Sequence, residues 1–274
     1  MTTIPNVLTI AGVDPSGGAG IVADLKAFSA LGAYGCAVIA ALTAQNTRTV
    51  SGVELVSPAF VRQQIDTLYD DVRIDAVKLG MLGTAAIIEA VADGLAARNR
   101  APIVLDPVMV AKSGASLLAI EAVAALRARL LPLATVITPN LPEAGVLLDR
   151  PPPATLADMR DAARALHRLG PRWVLLKGGH LADGPAVDII DDGERQIELS
   201  APRIPTKNTH GTGCTLSSAI AALLPQRPDP VAAIEGAKAY LTAAIADSGS
   251  LAVGGGHGPV HHFHALWPAS PASA

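Results

Sequence analysis

The chain has 274 residues, of which 50% are hydrophobic and 16% are charged, and its formal net charge is −3. The sequence has no basic stripe or arginine-rich arm, which argues against nucleic acid as a partner. No apolar run approaches the ~20 residues of a membrane-spanning helix, and we expect no leader or lipid anchor at the first residues. Cys36 and Cys214 match no metal or redox spacing, so we expect a protein of the reducing cytoplasm.

Short apolar runs alternate with amphipathic ones, which predicts strands that alternate with helices. In chain order we predict a strand from Val7, a helix over 18–31, strands from Cys36 and Val50, a helix over 59–69, a strand from Asp75, a helix over 85–97, a strand from Pro102, a helix over 119–130, a strand from Ala134, a helix over 156–169, a strand from Trp173, two hairpin strands around 192–194, and helices from Thr212 and over 231–247. This order predicts an α/β fold.

The predicted sheet is mainly parallel, with helices on both faces, and the late hairpin should add antiparallel strands at one edge. The alternation continues past the proline run at 151–153, so we expect residues 1–267 to form one domain. The small, polar tail at 268–274 should be flexible.

Glycine and polar residues concentrate where the predicted strands end. These positions are Gly12-Val13-Asp14, Gln45-Asn46, Gly80-Met81, Asp106-Pro107, Pro139-Asn140 and Lys177-Gly178-Gly179. In open parallel sheets, ligands bind just beyond the carboxyl ends of the strands. We therefore predict a small-molecule site at that edge.

Two glycine-rich turns precede predicted helices. Gly211-Thr212-Gly213-Cys214 opens a helix whose free amides can bind phosphate, although an ordinary glycine-rich helix entry would have the same composition. Residues 14–20 lack the Gly-Lys-Ser/Thr of a P-loop, so they form either a close backbone approach to a ligand or a tight turn. Asp24 follows, and it either faces the pocket or complements the helix dipole.

Three further positions carry charge at strand ends. Asn140 and Glu143 lie on one side of a helix start, where their oxygens suit Mg²⁺ but also suit a helix cap. Asp106 is either a metal-region residue or a turn former. Lys177 either reaches phosphate or is a solvated lysine at a strand exit.

Three histidines near the C-terminus, His261, His262 and His264, have no acidic or cysteine neighbour of the kind that completes a metal site. Phe263 and Trp267 beside them favour C-terminal packing instead. Cys36 lies in an apolar strand and should be a core residue.

The motifs as a set resemble a known family. The segments that carry the resemblance are TIAGVDPSGGAGIVADLKAFSALGAYG, TAQNT, VKLGMLG, VLDPVM with AKSG, TPNLPEA, LLKGGH, NTHGTGCTLSSAIA and GPVHHFH. They are similar to the hydroxymethylpyrimidine/phosphomethylpyrimidine kinases of thiamine biosynthesis, in the ribokinase-like superfamily, from about Val7 to Trp267. The resemblance implies a three-layer αβα sandwich, MgATP as phosphoryl donor, a homodimer, and two substrates: 4-amino-5-hydroxymethyl-2-methylpyrimidine and its monophosphate.

The resemblance also implies residue roles. The positions that match the pyrimidine pocket are Gln45, Asp24, Met81 and Val108. Those that match the nucleotide and phosphate side are Lys177, Thr206, Asn208, Asn140 and the loop Gly211, Thr212, Gly213 and Cys214. Glu143 and Asp106 are expected near Mg²⁺, through water. Residues 50–56 and 111–114 are candidate covers for the site.

Cys214 stands where ribokinase-type sugar kinases have the aspartate that takes the hydroxyl proton. A helix N-terminus should pull the pKa of its thiol below ~8.5, so Cys214 either accepts the proton or only hydrogen-bonds the hydroxyl. Charge stabilisation then falls to Lys177, Mg²⁺ and the amides of Gly211, Thr212, Gly213 and Cys214. The alternatives are a pyridoxal or pyridoxine kinase on the same fold and a non-catalytic nucleotide or pyrimidine sensor.

Overall fold

A computed structural model describes residues 3–109, 119–179, 181 and 186–267. The strands are β1 (Asn6–Val13), β2 (Tyr34–Gln45), β3 (Val50–Leu55), β4 (Ala76–Leu79), β5 (Ile103–Leu105), β6 (Val136–Ile137), β7 (Trp173–Leu176), β8 (Ala186–Asp191) and β9 (Gln196–Ala201). The helices are α1 (Gly20–Ala30), α2 (Pro58–Tyr69), α3 (Ala85–Arg98), α4 (Ile120–Ala125), α5 (Leu141–Leu148), α6 (Leu156–His167), α7 (Thr212–Leu223) and α8 (Pro230–Ala246). The candidate cover at 111–114 and the tail at 268–274 lie outside the described residues.

All of these strands join one sheet in the order β3-β2-β1-β4-β5-β6-β7-β8-β9. Strands β2, β1 and β4 to β7 are parallel, and the hairpin β8–β9 adds two antiparallel strands at one edge, as predicted. At the other edge β3 pairs antiparallel with β2, which we did not predict. The connection from Gln45 to Val50 is far shorter than the dozen or so residues that a parallel crossover requires, and it fixes this direction.

Helices cover both faces of the sheet and complete the predicted three-layer αβα sandwich. One face packs against α1, α7 and α8, and the other against helices from the group α2 to α6. Alanines at 219, 221 and 222 are fully buried, and they let α7 lie close to β1, β4 and β5. No helix within the described ranges is both long and apolar enough to cross a membrane.

The chain order reverses beside β1, because β2 lies on one side of it and β4 on the other. In such sheets the crevice outside the carboxyl ends at this reversal binds ligands. Most helices of the fold begin with a side-chain cap, namely Ser57 for α2, Thr84 for α3, Asn140 for α5, Thr155 for α6 and Asp229 for α8. Helices α1 and α7 begin at the crevice without an N-cap side chain.

A buried ion pair joins the sheet to the α1 and α7 layer. The ammonium of Lys78 on β4 lies 2.8 Å and 3.0 Å from the two carboxylate oxygens of Asp24 on α1, and both side chains are 0% exposed. The hydroxyls of Thr9 and Ser218 donate to the same carboxylate at 2.6 Å and 2.7 Å. Burial alone would lower the pKa of Lys78, but Asp24 and the nearby acids raise it, so the lysine is charged.

We predict that Asp24→Asn lowers the free energy of unfolding by about 3–5 kcal/mol, because it leaves the Lys78 charge uncompensated in the core. The double variant Asp24→Asn/Lys78→Met should recover most of that loss, since it removes both charges. Urea unfolding of the purified variants measures both effects.

Arg164→Met is the matched control, because Arg164 forms an exposed ion pair with Asp161. It should leave the unfolding free energy nearly unchanged. A double variant no more stable than Asp24→Asn alone would contradict the charge explanation.

Candidate functional site

A cavity of about 820 Å³ lies beyond the carboxyl ends of the central strands. This volume is in the upper part of the range of small-molecule sites. The sequence-predicted residues that line it are Gln45, Met81, Asp106, Val108, Asn140, Glu143, Lys177, Gly211, Thr212, Gly213 and Cys214. The fold thus brings most of the predicted site to one place.

The first turn of α7 forms one wall. Gly211 precedes the helix in the left-handed conformation, with φ of 76°. Only glycine fits there, because a Cβ on Gly211 would overlap the carbonyl oxygen of Gly18. The amides that follow have no side-chain cap and lie at the positive end of the helix dipole. A wall of this geometry favours the binding of an anion.

The ammonium of Lys177 lies beside that wall, 3.3 Å from one carboxylate oxygen of Asp106. Asp106 also accepts hydrogen bonds from Thr138 at 3.2 Å and Ser217 at 3.3 Å. A Cβ built on Gly213 would lie 3.5 Å from both charged groups, so the pair adjoins the α7 amides. Burial alone would lower the pKa of Lys177. Asp106 and Glu143 raise it by more, so the net shift is upward and the lysine is a fixed positive charge.

Asn140 and Glu143 form a helix cap and also line the cavity. The amide of Glu143 donates to Asn140 Oδ1 at 2.9 Å, and the amide of Asn140 donates to Glu143 Oε2 at 2.8 Å. The capping alternative is therefore confirmed. Burial raises the pKa of Glu143 to about 7, against the lowering effect of Lys177, and the charge of Asp106 adds to the rise.

Asp106 and Glu143 share the single ammonium of Lys177, which leaves surplus negative charge when both carboxylates are ionised. Two carboxylates with additional oxygens from a nucleotide are a donor set that suits Mg²⁺. Within the described ranges no cluster of three or more His, Cys, Asp or Glu side chains forms a cage that could hold a metal by itself. The residues fit a Mg²⁺ that also binds phosphate.

Another part of the cavity lining is uncharged. Gln45 at the end of β2 lies near Thr43, whose hydroxyl donates to the carbonyl of Val13 at 2.9 Å and lies 3.2 Å from Gln45 Oε1. Met81 and Val108 add apolar surface to the same cavity. An amide beside apolar side chains can donate to and accept from one edge of a flat heteroaromatic ring.

Three predicted residues lie elsewhere. Asp24 does not line the cavity, because the first turns of α1 direct it to the sheet, where it binds Lys78. Thr206 and Asn208 also lie off the wall. The side-chain amide of Asn208 donates to the carbonyl of Ser248 at 3.0 Å, and its backbone amide donates to the hydroxyl of Thr206 at 3.1 Å. Both residues therefore stabilise the loop that leads to α7.

Several cavity residues were missed by the sequence analysis, namely Lys78, Asp188, His210 and Lys238. Lys78 carried a usable signal, since a lysine inside an apolar strand is rarely buried without a partner. His210 directly precedes the glycine loop but looks like an ordinary loop residue in the sequence.

The expectation that the Cys214 thiol has a lowered pKa is wrong. Burial raises its pKa to about 11, and the charges of Asp24 and Asp106 act in the same direction. The ammonium of Lys78 and the amide of Gly20 oppose this rise without cancelling it. The thiol is therefore protonated at neutral pH.

The C-terminal histidines pack as predicted. The ring of His261 meets Trp267 edge-on, and Phe263 stacks on Trp267. His262 bonds to the hydroxyl of Thr215 at 3.0 Å, and burial lowers its pKa to about 3.

Known proteins match this chain over nearly its full length. A model of the phosphomethylpyrimidine kinase family matches residues 14–261. The hydroxymethylpyrimidine/phosphomethylpyrimidine kinase of Escherichia coli (strain K12) is 55% identical over 262 residues, which cover 96% of this chain and 98% of that protein.

Solved structures agree with the sequence match. The phosphomethylpyrimidine kinase of Clostridium difficile 630 aligns with a TM-score of 0.78 at 42% identity, over 88% of this chain and 99% of that one. The pyridoxal kinase of Staphylococcus aureus, in complex with AMP-PCP and pyridoxal, aligns with a TM-score of 0.88 at 34% identity, over 97% and 96% of the two chains. The predicted family resemblance and ribokinase-like fold are confirmed, and the chain belongs to the phosphomethylpyrimidine kinase family.

Proposed function

We propose that this kinase transfers the γ-phosphoryl group of ATP to 4-amino-5-hydroxymethyl-2-methylpyrimidine and then to its monophosphate. The observation that carries the proposal is one cavity in which Lys177 lies between the uncapped start of α7 and the carboxylates Asp106 and Glu143. The E. coli relative is named for the same two activities.

The transfer needs positioning more than a strong nucleophile, because phosphoryl transfer passes through a loose transition state. The amides of residues 211–214 and the ammonium of Lys177 hold the migrating phosphoryl group and stabilise its charge. Gln45 orients the pyrimidine ring, and Met81 and Val108 contact its faces. Mg²⁺, when held by Glu143 and Asp106, neutralises phosphate charge.

Cys214 acts as a hydrogen-bond partner of the substrate hydroxyl in this proposal, and it is not the base. A thiol with a pKa of about 11 has little thiolate at neutral pH. In a loose transition state the hydroxyl proton can leave late, passing to an oxygen of the transferred phosphoryl group after most of the phosphorus–oxygen bond has formed, so that no side-chain base is needed. A protonated Cys214 thiol can serve as the hydrogen-bond partner of the substrate hydroxyl.

Pyridoxal phosphorylation is the second candidate function. The S. aureus neighbour is a pyridoxal kinase in complex with AMP-PCP and pyridoxal, and its chain superposes over nearly the whole of this one. Both substrates are heteroaromatic rings that bear a hydroxymethyl group. The apolar side chains that line the ring pocket here do not by themselves distinguish the two.

The homodimer and the cytoplasmic location belong to the same proposal. Val53, Leu55 and Phe60 on and beside the edge strand β3 are exposed, and they offer an apolar surface to a second copy. Cys36 and Cys214 are both free thiols, which fits a reducing compartment.

A coupled ADP-release assay tests the function. We expect turnover with hydroxymethylpyrimidine and with its monophosphate, slower turnover with pyridoxal, and none without Mg²⁺. Faster turnover with pyridoxal would favour the second candidate. Binding of ATP and pyrimidine without ADP release would instead indicate a sensor.

Replacing Cys214 tests its role in catalysis. We predict that Cys214→Ala lowers turnover less than about tenfold, because a general base would contribute about 10²–10⁴-fold. Initial rates at saturating ATP measure this, and Cys36→Ala is the control because Cys36 is a buried core thiol away from the cavity. A loss of turnover of a hundredfold or more would mean that Cys214 is the general base.

Glu143 should make Mg²⁺ binding depend on pH. Its carboxyl gains charge as the pH rises through about 7, so the Mg²⁺ concentration for half-maximal rate should fall about tenfold per pH unit below that value. It should level off above it. Rates measured across a Mg²⁺ series at each pH give this profile.

ATP itself titrates in the same range, so Glu143→Gln is the control. Gln can keep the helix cap but cannot ionise. Its Mg²⁺ requirement should be higher and should show only the dependence due to the nucleotide. Identical profiles for both proteins would remove Glu143 from the metal site.

A further inference from the structure

Two cavity residues, Asp14 and His210, form a side-chain pair that the proposed mechanism does not use. His210 Nε2 lies 2.7 Å from Asp14 Oδ2, and the two residues are 196 positions apart in the chain. Asp14 is 3% exposed and His210 is 6% exposed. A carboxylate accepts at this position, so the imidazole must carry a proton on Nε2.

Asp14 also organises the loop of residues 14–20. Its carboxylate accepts hydrogen bonds from the amide and the hydroxyl of Ser16, both at 2.8 Å, and from the amide of Ala19 at 3.0 Å. Lys26 holds the same loop by donating to the carbonyl of Gly17 at 2.8 Å. The loop is therefore a preformed unit, and His210 is the side chain that reaches it from the other glycine-rich segment.

The two glycine-rich segments touch with no room between them. A Cβ on Gly18 would overlap the ring of His210, and a Cβ on Gly211 would overlap the carbonyl of Gly18. His210 is fixed from behind as well, because its amide donates to the carbonyl of Gly258 at 3.0 Å. The imidazole thus lies between the loop of residues 14–20 and the start of α7. In the sequence, His210 directly precedes the amides of residues 211–214.

We propose that His210 is a positioning residue: its hydrogen bond to Asp14 locks the loop of residues 14–20 against Gly211 and so fixes the amides of residues 211–214 for phosphate. The proposal rests on the proposed function for its kinetic consequences, but it concerns nucleotide binding directly. A small displacement of groups that hold a reacting phosphate can cost about 10²-fold in rate. A lock beside a left-handed glycine prevents that displacement.

Burial explains why this pair is not an ordinary surface contact. Burial would raise the pKa of Asp14, but the hydrogen bonds from His210 and Ser16 lower it overall, so the carboxylate is ionised and holds its donors. Hydrogen bonds to a charged group contribute more than neutral ones, and an unpaired buried carboxylate is costly. Loss of the imidazole should therefore move the loop and not merely leave a gap.

The test compares two variants of His210. His210→Leu removes the donor at similar volume, and His210→Gln keeps an N–H near the position of Nε2. We expect His210→Leu to weaken MgADP binding about tenfold and to lower turnover about 10- to 100-fold, with the KM for pyrimidine changed by less than about twofold. His210→Gln should return both values to within about threefold of the wild type.

Three measurements separate the lock from a general loss of stability. Calorimetry gives the MgADP affinity, initial rates give kcat and KM, and hydrogen exchange should show faster exchange of the amides of Ser16 and Ala19, which donate to Asp14, in His210→Leu alone. Tyr69→Phe is the matched control, because it removes a hydrogen bond between side chains 30 positions apart, Tyr69 to Asn99 at 2.9 Å, away from the cavity. It should lower the melting temperature without changing MgADP affinity or the exchange of the Ser16 and Ala19 amides.

Either of two results would overturn the proposal: His210→Leu binds MgADP and turns over within about twofold of wild type, or His210→Gln is as impaired as His210→Leu. If His210→Leu fails to fold, Asp14→Asn decides in its place, with the same expected weakening of MgADP binding. An inactive wild type that still binds MgADP would defeat the proposed substrate and leave the lock testable through affinity and exchange.

Discussion

The start of α7 is the feature on which the site depends. This helix lies in the middle of one layer, and its first amides emerge at the crevice where the chain order reverses. Its approach to β1, β4 and β5 requires small buried side chains at 219, 221 and 222 and a left-handed Gly211. A backbone wall that favours anions is therefore a consequence of how the helix packs, and the charge of Lys177 adds to it.

Two buried ammonium groups lie near that helix and serve different purposes. Lys78 bonds both carboxylate oxygens of Asp24, so its charge is balanced within the ion pair that joins α1 to the sheet. Lys177 has a single contact of 3.3 Å with Asp106 and keeps part of its surface at the cavity. The tightly paired Lys78 makes the sheet rigid beneath the cavity, while the loosely paired Lys177 remains available to phosphate.

Local sequence signals predicted the strands and the helices, and most of the predicted site residues line the cavity, because apolar periodicity and strand-end glycines follow from the chain near each position. The errors concern contacts between distant residues. Asp24 was assigned to the pocket because its ion pair with Lys78, 54 positions away, leaves no local signal in the sequence. The pKa of Cys214 was predicted from its helix N-terminus, but burial by the whole fold outweighs that local field. The partnership of His210 with Asp14 is likewise invisible in the sequence.

The charges around Lys177 also constrain how nucleotide enters. Asp106 and Glu143 together exceed the charge of one ammonium, and burial raises the pKa of Glu143 in response. A bare polyphosphate would meet these carboxylates at the same wall as the α7 amides, and repulsion in a low-dielectric cavity would oppose it. A polyphosphate that brings a divalent cation meets instead a pair of oxygen ligands. Under the proposed function, the same two carboxylates would oppose free ATP and favour its complex with Mg²⁺, the form of the nucleotide that reacts.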